Sequence, residues 1–143
     1  MGEVVVKIRL TNVEDMFAFK DGRIEAKLVR TAELDALVDT GAMMLMLPQD
    51  EVAYLGLREL RKVTVRYADE RAEERAIAGP VFLELPGDWG ERSMIAECIV
   101  GPPGAEALVG QIVLEAVDLL VDSIEGRLRP RPESPHRPLV KLK

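Results

Sequence analysis

Apolar positions along this chain recur in short, alternating runs broken by turn residues, and that rhythm predicts the elements. Val4, Val6, Ile8 and Leu10 fall on one face of a first strand, with Lys7 and Arg9 opposite. A second strand is predicted through Phe17 and Phe19. Asp21-Gly22 is its hairpin turn, and Ile24, Ala26 and Leu28 lie on the returning strand. Leu34, Ala36 and Val38 alternate again, so residues 34–39 read as a strand that ends on Asp39. Pro48 suits a first helical turn, Asp50 and Glu51 favour its positive end, and Gly56 caps it, which predicts a short helix over 48–55.

Further on, residues 63–67 and 81–85 are strand-like, with the polar stretch 68–75 between them. A turn at 86–90 precedes a strand over 93–100, and Gly101-Pro102-Pro103-Gly104 forms a loop. Residues 110–117 have helical spacing, and residues 119–121 and Leu128 flank a turn at 122–126. Many short strands with closely spaced turns predict an all-β fold, a barrel or sandwich with one or two short helices.

The chemistry centres on residues 36–42, ALVDTGA. An apolar strand delivers one carboxylate, Asp39, to its buried end, where such groups tend to be functional. Gly41 allows a tight turn and Thr40 supplies a short donor and acceptor to fasten it. An Asp-Thr-Gly turn between two strands needs no more than turn chemistry, so these residues alone leave both readings open. A second apolar stretch follows about seventy residues later, ALVGQIVLE over 107–115, and then LLVDSIEGRL over 119–128.

Together these stretches resemble the retropepsin-like aspartic proteases, the family of retroviral proteases and their cellular relatives. There, an apolar-apolar-Asp-Thr/Ser-Gly-Ala motif is followed late in the domain by apolar-apolar-Gly and a short helix. The resemblance implies a retropepsin-like barrel over residues 1–128, with 129–143 a proline-rich basic tail. It also implies a homodimer that hydrolyses peptide bonds in a peptide or protein substrate, using one Asp39 from each subunit. Thr40 would reach the mate's backbone, Gly41 would present its N–H near the carboxylates, and Ala42 would lie under the substrate. Gly110 and Gln111 carry the late motif, with Gln111 where many relatives have Arg, Met or Asn. The flap candidates are Tyr67, Ala68, Asp69 and Glu70, in a stretch without the usual glycine tip. A glycine-poor flap also fits an alternative, a catalytically silent binding module of the same fold. Asp122 lies in VDSIEG, where Ile124 replaces the glycine a second catalytic motif would need, and it is expected to be structural.

Composition narrows the field. Cys98 is the only cysteine and His136 the only histidine, which disfavours disulfides, metal clusters and Ser-His or Cys-His catalysis. No metal and no cofactor is expected. No apolar run reaches the roughly eighteen residues of a membrane span, and the first ten residues alternate, so neither a membrane partner nor a signal segment is expected. A cytoplasmic location is the expectation. The net charge of −6 divides into +5 from Arg127 onward and −11 before it, which argues against nucleic acid. Scarce amides (Asn12, Gln49, Gln111) beside abundant Glu and Arg form a thermophile-like pattern, which a GC-rich genome also produces. Met43, Met44 and Met46 read as core first and adaptable pocket second, while Trp89 and Cys98 read as packing residues. Leu139, Val140 and Leu142 suggest a terminal strand docking on the edge of residues 4–10 of either subunit; the four preceding prolines equally suit a free tail.

Overall fold

A computed structural model describes residues 3–142. The first strand, β1 (Val5–Asn12), buries Ile8 and Leu10 completely, as the alternation requires. It runs directly into a helix, α1 (Val13–Lys20), where a second strand was expected. Asn12 explains the difference: its side chain accepts the Asp15 N–H at 2.9 Å and caps the helix, and Glu14 and Asp15 sit in the first turn. Phe17 and Phe19 both remain exposed, so their alternation marked no buried face. Asp21-Gly22 ends this helix rather than turning a hairpin, and the expected return strand is a loop with a 3-10 turn, Ala26–Leu28.

The next strand, β2 (Thr31–Val38), lies antiparallel to β1. Then come β3 (Leu45–Pro48), α2 (Gln49–Leu55) with Gly56 left-handed at its C-terminus, and a hairpin of β4 (Arg58–Arg66) and β5 (Ala72–Glu84). Strands β6 (Ser93–Gly101) and β7 (Ala107–Val109) follow, then α3 (Gln111–Val117). A closing hairpin pairs β8 (Leu119–Asp122) with β9 (Arg127–Pro130). Among the described residues the fold is all-β with three short α-helices. Hydrogen-bonded neighbours run β1-β2-β7-β3-β6-β5, and β5 pairs back onto β1, closing a six-stranded barrel with β4 outside it.

Barrel closure lets the inward side chains form one core: Ile8, Leu10, Ala36, Leu45, Leu47, Val81, Leu83, Cys98 and Val109 are all essentially inaccessible. Burial pushes the Cys98 thiol up to about 12, so it packs as a small apolar group. Trp89 is also buried and its indole N–H donates to the Leu85 carbonyl at 2.8 Å.

One buried side chain is not apolar. Arg92 is 1% exposed, and its guanidinium donates to the carbonyls of Trp89 (2.9 Å), Val117 (3.1 Å), Asp118 (3.1 Å) and Ser134. Four carbonyl dipoles, with the Asp118 carboxylate 4.0 Å away, compensate its lost hydration. Asp118 sits left-handed at the end of α3 (φ 60°) and accepts Arg131 through both oxygens, at 2.7 and 3.1 Å, and the Leu139 N–H at 2.9 Å. The stretch beyond Pro130 is therefore laid along the barrel. Ser134 is buried, and the His136 carbonyl occupies the space a Cβ on Gly90 would need. Residues 139–142 are exposed and make no strand within the chain, so no terminal strand docks on the β1 of the same chain. Strand β1 pairs with β2 over Val5–Thr11 and with β5 over Arg9–Asn12, so the other side of residues 5–8 stays open.

The Arg131 guanidinium, against the opposing effect of burial and with help from the Leu139 N–H, holds the Asp118 carboxyl well below the usual carboxylate range. A depressed native pKa means the folded protein binds fewer protons than the unfolded chain. Its stabilisation is complete above about 3.9 and is lost as pH falls below that value. Asp118→Asn should lower stability near neutral pH by about 3 kcal/mol, since two arginines lose their counter-charge. Urea titrations at pH 7 and at pH 2.5 check this: the gap between wild type and variant should narrow at the lower pH.

Candidate active site

Strand β2 carries Asp39 to the barrel rim because both its neighbours hold it in register. Val38 donates its N–H to Val4 at 2.8 Å, and Asp39 donates its N–H to Val109 at 3.0 Å, continuing the parallel β2–β7 ladder by one residue. Then the chain turns. The Gly41 N–H donates to Asp39 Oδ1 at 2.9 Å and the Ala42 N–H to the Asp39 carbonyl at 3.1 Å. The carboxylate is half-buried and oriented by its own loop. Thr40 is exposed, and its hydroxyl has no hydrogen-bond partner among the described residues. Gly41 is not left-handed. A Cβ there would lie 3.2 Å from Asp39 Oδ1, so any larger residue crowds the carboxylate by a few tenths of an ångström, and the glycine serves close approach rather than a left-handed turn.

The late motif packs directly beneath this loop. The Gln111 N–H donates to the Ala42 carbonyl at 2.9 Å and the Ile112 N–H to the Met43 carbonyl at 3.0 Å. Those two amides open α3, where helical partners are lacking anyway. Gly110 lies where the returning chain crosses: a Cβ would be 2.6 Å from the Met44 carbonyl oxygen and 2.8 Å from that of Ala42. Asp39, Thr40, Gly41, Ala42, Gly110 and Gln111 are thus brought into one cluster. Gln111 contributes its backbone there, while its side chain turns outward to Glu115 at 3.3 Å. Ile112, not singled out in the sequence, makes the second half of the clasp, and backbone hydrogen bonding of this kind leaves no residue-type signature.

The four flap candidates form the tip of the β4–β5 hairpin. Register closes at Arg66↔Ala72, with the Tyr67 N–H donating to Arg71 at 2.8 Å and the Glu70 N–H to Tyr67 at 3.0 Å. Glu70 takes the left-handed seat (φ 69°) that glycine fills at lower cost. Other contacts pin the tip: Asp69 Oδ1 accepts the Arg71 N–H at 3.0 Å, and the Arg71 guanidinium stacks over the Tyr67 ring at 4.6 Å. Arg61 shares the pleat of Val63, Val65 and Tyr67. It borders a shallow cavity of about 280 Å³ with Met43, Met44, Ile95 and Ile112, and pairs with Glu97 at 2.7 Å. The β4 strand of the hairpin therefore borders, through Arg61, the same cavity as Met43 and Met44, which follow the Asp39 loop. Met43 is 68% exposed at this cavity, contrary to the core role expected of it, while Met44 and Met46 are half-buried.

Asp122 lies elsewhere, in the β8–β9 turn, where Oδ1 accepts the N–H groups of Ile124 (3.1 Å) and Glu125 (3.0 Å). Among the described residues, no group of three or more His, Cys, Asp or Glu side chains is placed to hold a metal.

No family model and no curated protein matches this sequence. Among solved structures, the chain is similar to the crystal structure of a retropepsin-like aspartic protease from Rickettsia conorii. The identity is 16%, the TM-score 0.44, and the match covers 85% of this chain and 86% of that one.

Because Gly110 meets backbone rather than flexible side chains, Gly110→Ala should force the Asp39 loop off the start of α3. A stability loss of about 1–3 kcal/mol is expected from the overpacking. Thermal unfolding measures that loss, and amide exchange at Gln111 and Ile112 should quicken with it.

Proposed function

We propose that this protein is an aspartic endopeptidase of the retropepsin type, active as a homodimer. The observation that carries the reading is the clasp at Asp39: a half-buried carboxylate oriented by the Gly41 N–H, on a loop fastened to α3 by two hydrogen bonds. Such a loop presents a carboxylate with little freedom, as hydrolysis through an activated water requires. The chemistry needs two carboxylates sharing one proton, and Asp122 is committed to its turn. A second copy related by a two-fold axis supplies the other Asp39, and the exposed Thr40 is available to meet the partner loop.

In the reaction, the ionised carboxylate takes a proton from water as its oxygen attacks the scissile carbonyl carbon. The protonated mate gives its proton to the carbonyl oxygen, leaving a neutral tetrahedral diol. Collapse returns a hydroxyl proton to one carboxylate, passes a proton to the departing nitrogen and breaks the C–N bond. The β4–β5 hairpin covers the substrate in this scheme, with Arg61, Val63 and Val65 on its inward pleat.

A second reading, a binding module without turnover, draws on the hairpin tip. With Glu70 in a glycine seat and Tyr67, Asp69 and Arg71 interlocked, the tip has less freedom than a closing flap uses.

Asp39→Asn separates the two. The amide keeps the shape and removes the base, so cleavage of a peptide library should fall to background while the circular dichroism spectrum stays unchanged. Residual turnover by the purified variant would refute the assignment. Two carboxylates sharing a proton titrate as a pair, so the wild-type rate should follow a bell in the acid range. Dimerisation should tighten with added salt, which screens two acidic bodies from each other. Sedimentation at micromolar concentration in 50 and 500 mM salt checks this, and a monomer that still cleaves peptide would overturn the shared site.

A further inference from the structure

Seven-residue α3 is held at both ends by groups remote from it in sequence. At its start, the Gln111 and Ile112 amides hold the Asp39 loop through the carbonyls of Ala42 and Met43. At its end, Arg92 takes the carbonyls of Val117 and Asp118, and the same guanidinium takes the Ser134 carbonyl. Asp118 then binds Arg131 through both oxygens and the Leu139 N–H, while its own carbonyl stays on Arg92. Between those anchors α3 buries Val113, Leu114 and Val117, so it moves as a rigid piece.

We propose that residues 131–139 act as a strap that sets the position of the Asp39 loop through Arg92 and α3, with Arg92 the positioning residue. The inference deepens the enzymatic reading and uses it only for the kinetic part of the test. The strap works by fixing the end of α3. Arg92 is suited to this because a planar fork with several donors joins the 86–92 turn, the helix end and the strap at once, which a lysine ammonium does not. A displacement of α3 is carried to the loop by the Gln111 and Ile112 N–H groups, which hold the Ala42 and Met43 carbonyls at 2.9 and 3.0 Å.

Two variants loosen the strap from its outer side and leave the barrel core alone. Arg131→Gln removes the paired guanidinium, and Leu139→Pro removes the N–H that donates to Asp118. Hydrogen exchange followed residue by residue in the intact chain should show the Gln111 and Ile112 amides exchanging about tenfold faster in each variant. The Ile8 and Leu83 amides should be unchanged. Under the enzymatic reading, kcat should fall about tenfold or more at nearly constant KM, because the loop loses its geometry and not its substrate contacts. Arg92→Lys should lie between wild type and Arg92→Met in both measurements. The inference is overturned if the Ser134 amide quickens while Gln111 and Ile112 do not, since the strap then moves without being felt at the loop. Equal acceleration of every amide also overturns it, because that is general destabilisation. If wild type and variants all fail to cleave peptide, the exchange pattern alone decides, and that failure counts only against the enzymatic reading.

Discussion

The structure depends on a cation kept out of water. Arg92 sits where the 86–92 turn, the end of α3 and the C-terminal stretch converge, and its guanidinium donates to all three. Burial disfavours its charge, and the direction of its shift is accordingly downward, with Asp118 acting against it. Removing any one carbonyl would leave a donor unsatisfied inside the protein, which costs more than the hydrogen bond contributes. That asymmetry makes the arrangement all-or-none and ties pieces 25 to 42 residues apart in sequence to one another.

The closed barrel and the Asp39 loop depend on each other in a similar way. Strand β7 is only three residues long, yet it pairs with β2 on one side and β3 on the other. It therefore fixes where β2 ends and where the loop after Asp39 returns. Val109 closes the ladder onto the Asp39 N–H, Gly110 lets the loop cross, and Gln111 and Ile112 hold it. Consecutive residues 109–112 thus serve four separate constraints, and a short strand is sufficient because the next element begins at once.

Periodicity in the sequence locates those elements whose faces differ. The alternation at Ile8 and Leu10 and that ending at Val38 mark real strands, and Pro48, Gly56 and the 110–117 spacing mark real helices. It failed where neighbours decide. Leu45–Pro48 is apolar throughout and buried on both faces, so it has no period to read. Phe17 and Phe19 alternate by chance inside a helix whose true signal, Asn12 followed by two acids, was local chemistry rather than pattern. Arg92 carries no signal of its own in the sequence, because two of the segments whose carbonyls bury it come from distant parts of the chain. At the site, residue types pointed to Asp39, Gly41 and Gly110, but the reason for each glycine is spatial and visible only with the chain folded.

One strand stands outside the ring. A closed barrel has no edge, but β4 bonds to β5 alone, so its other side is an open ladder of N–H and C=O groups nine residues long. Such ladders recruit further strands, from stray peptides or from identical chains, and grow into stacked sheets. Here the strand places Arg58, Arg61, Lys62 and Arg66 along that border. Each is paired with an acid of the same chain, Glu14, Glu97, Glu74 and Glu70 in turn, so a second β4 laid alongside would have to accommodate or displace four solvated ion pairs. Charged, ion-paired side chains along an open edge thereby guard the molecule against its own capacity for sheet extension.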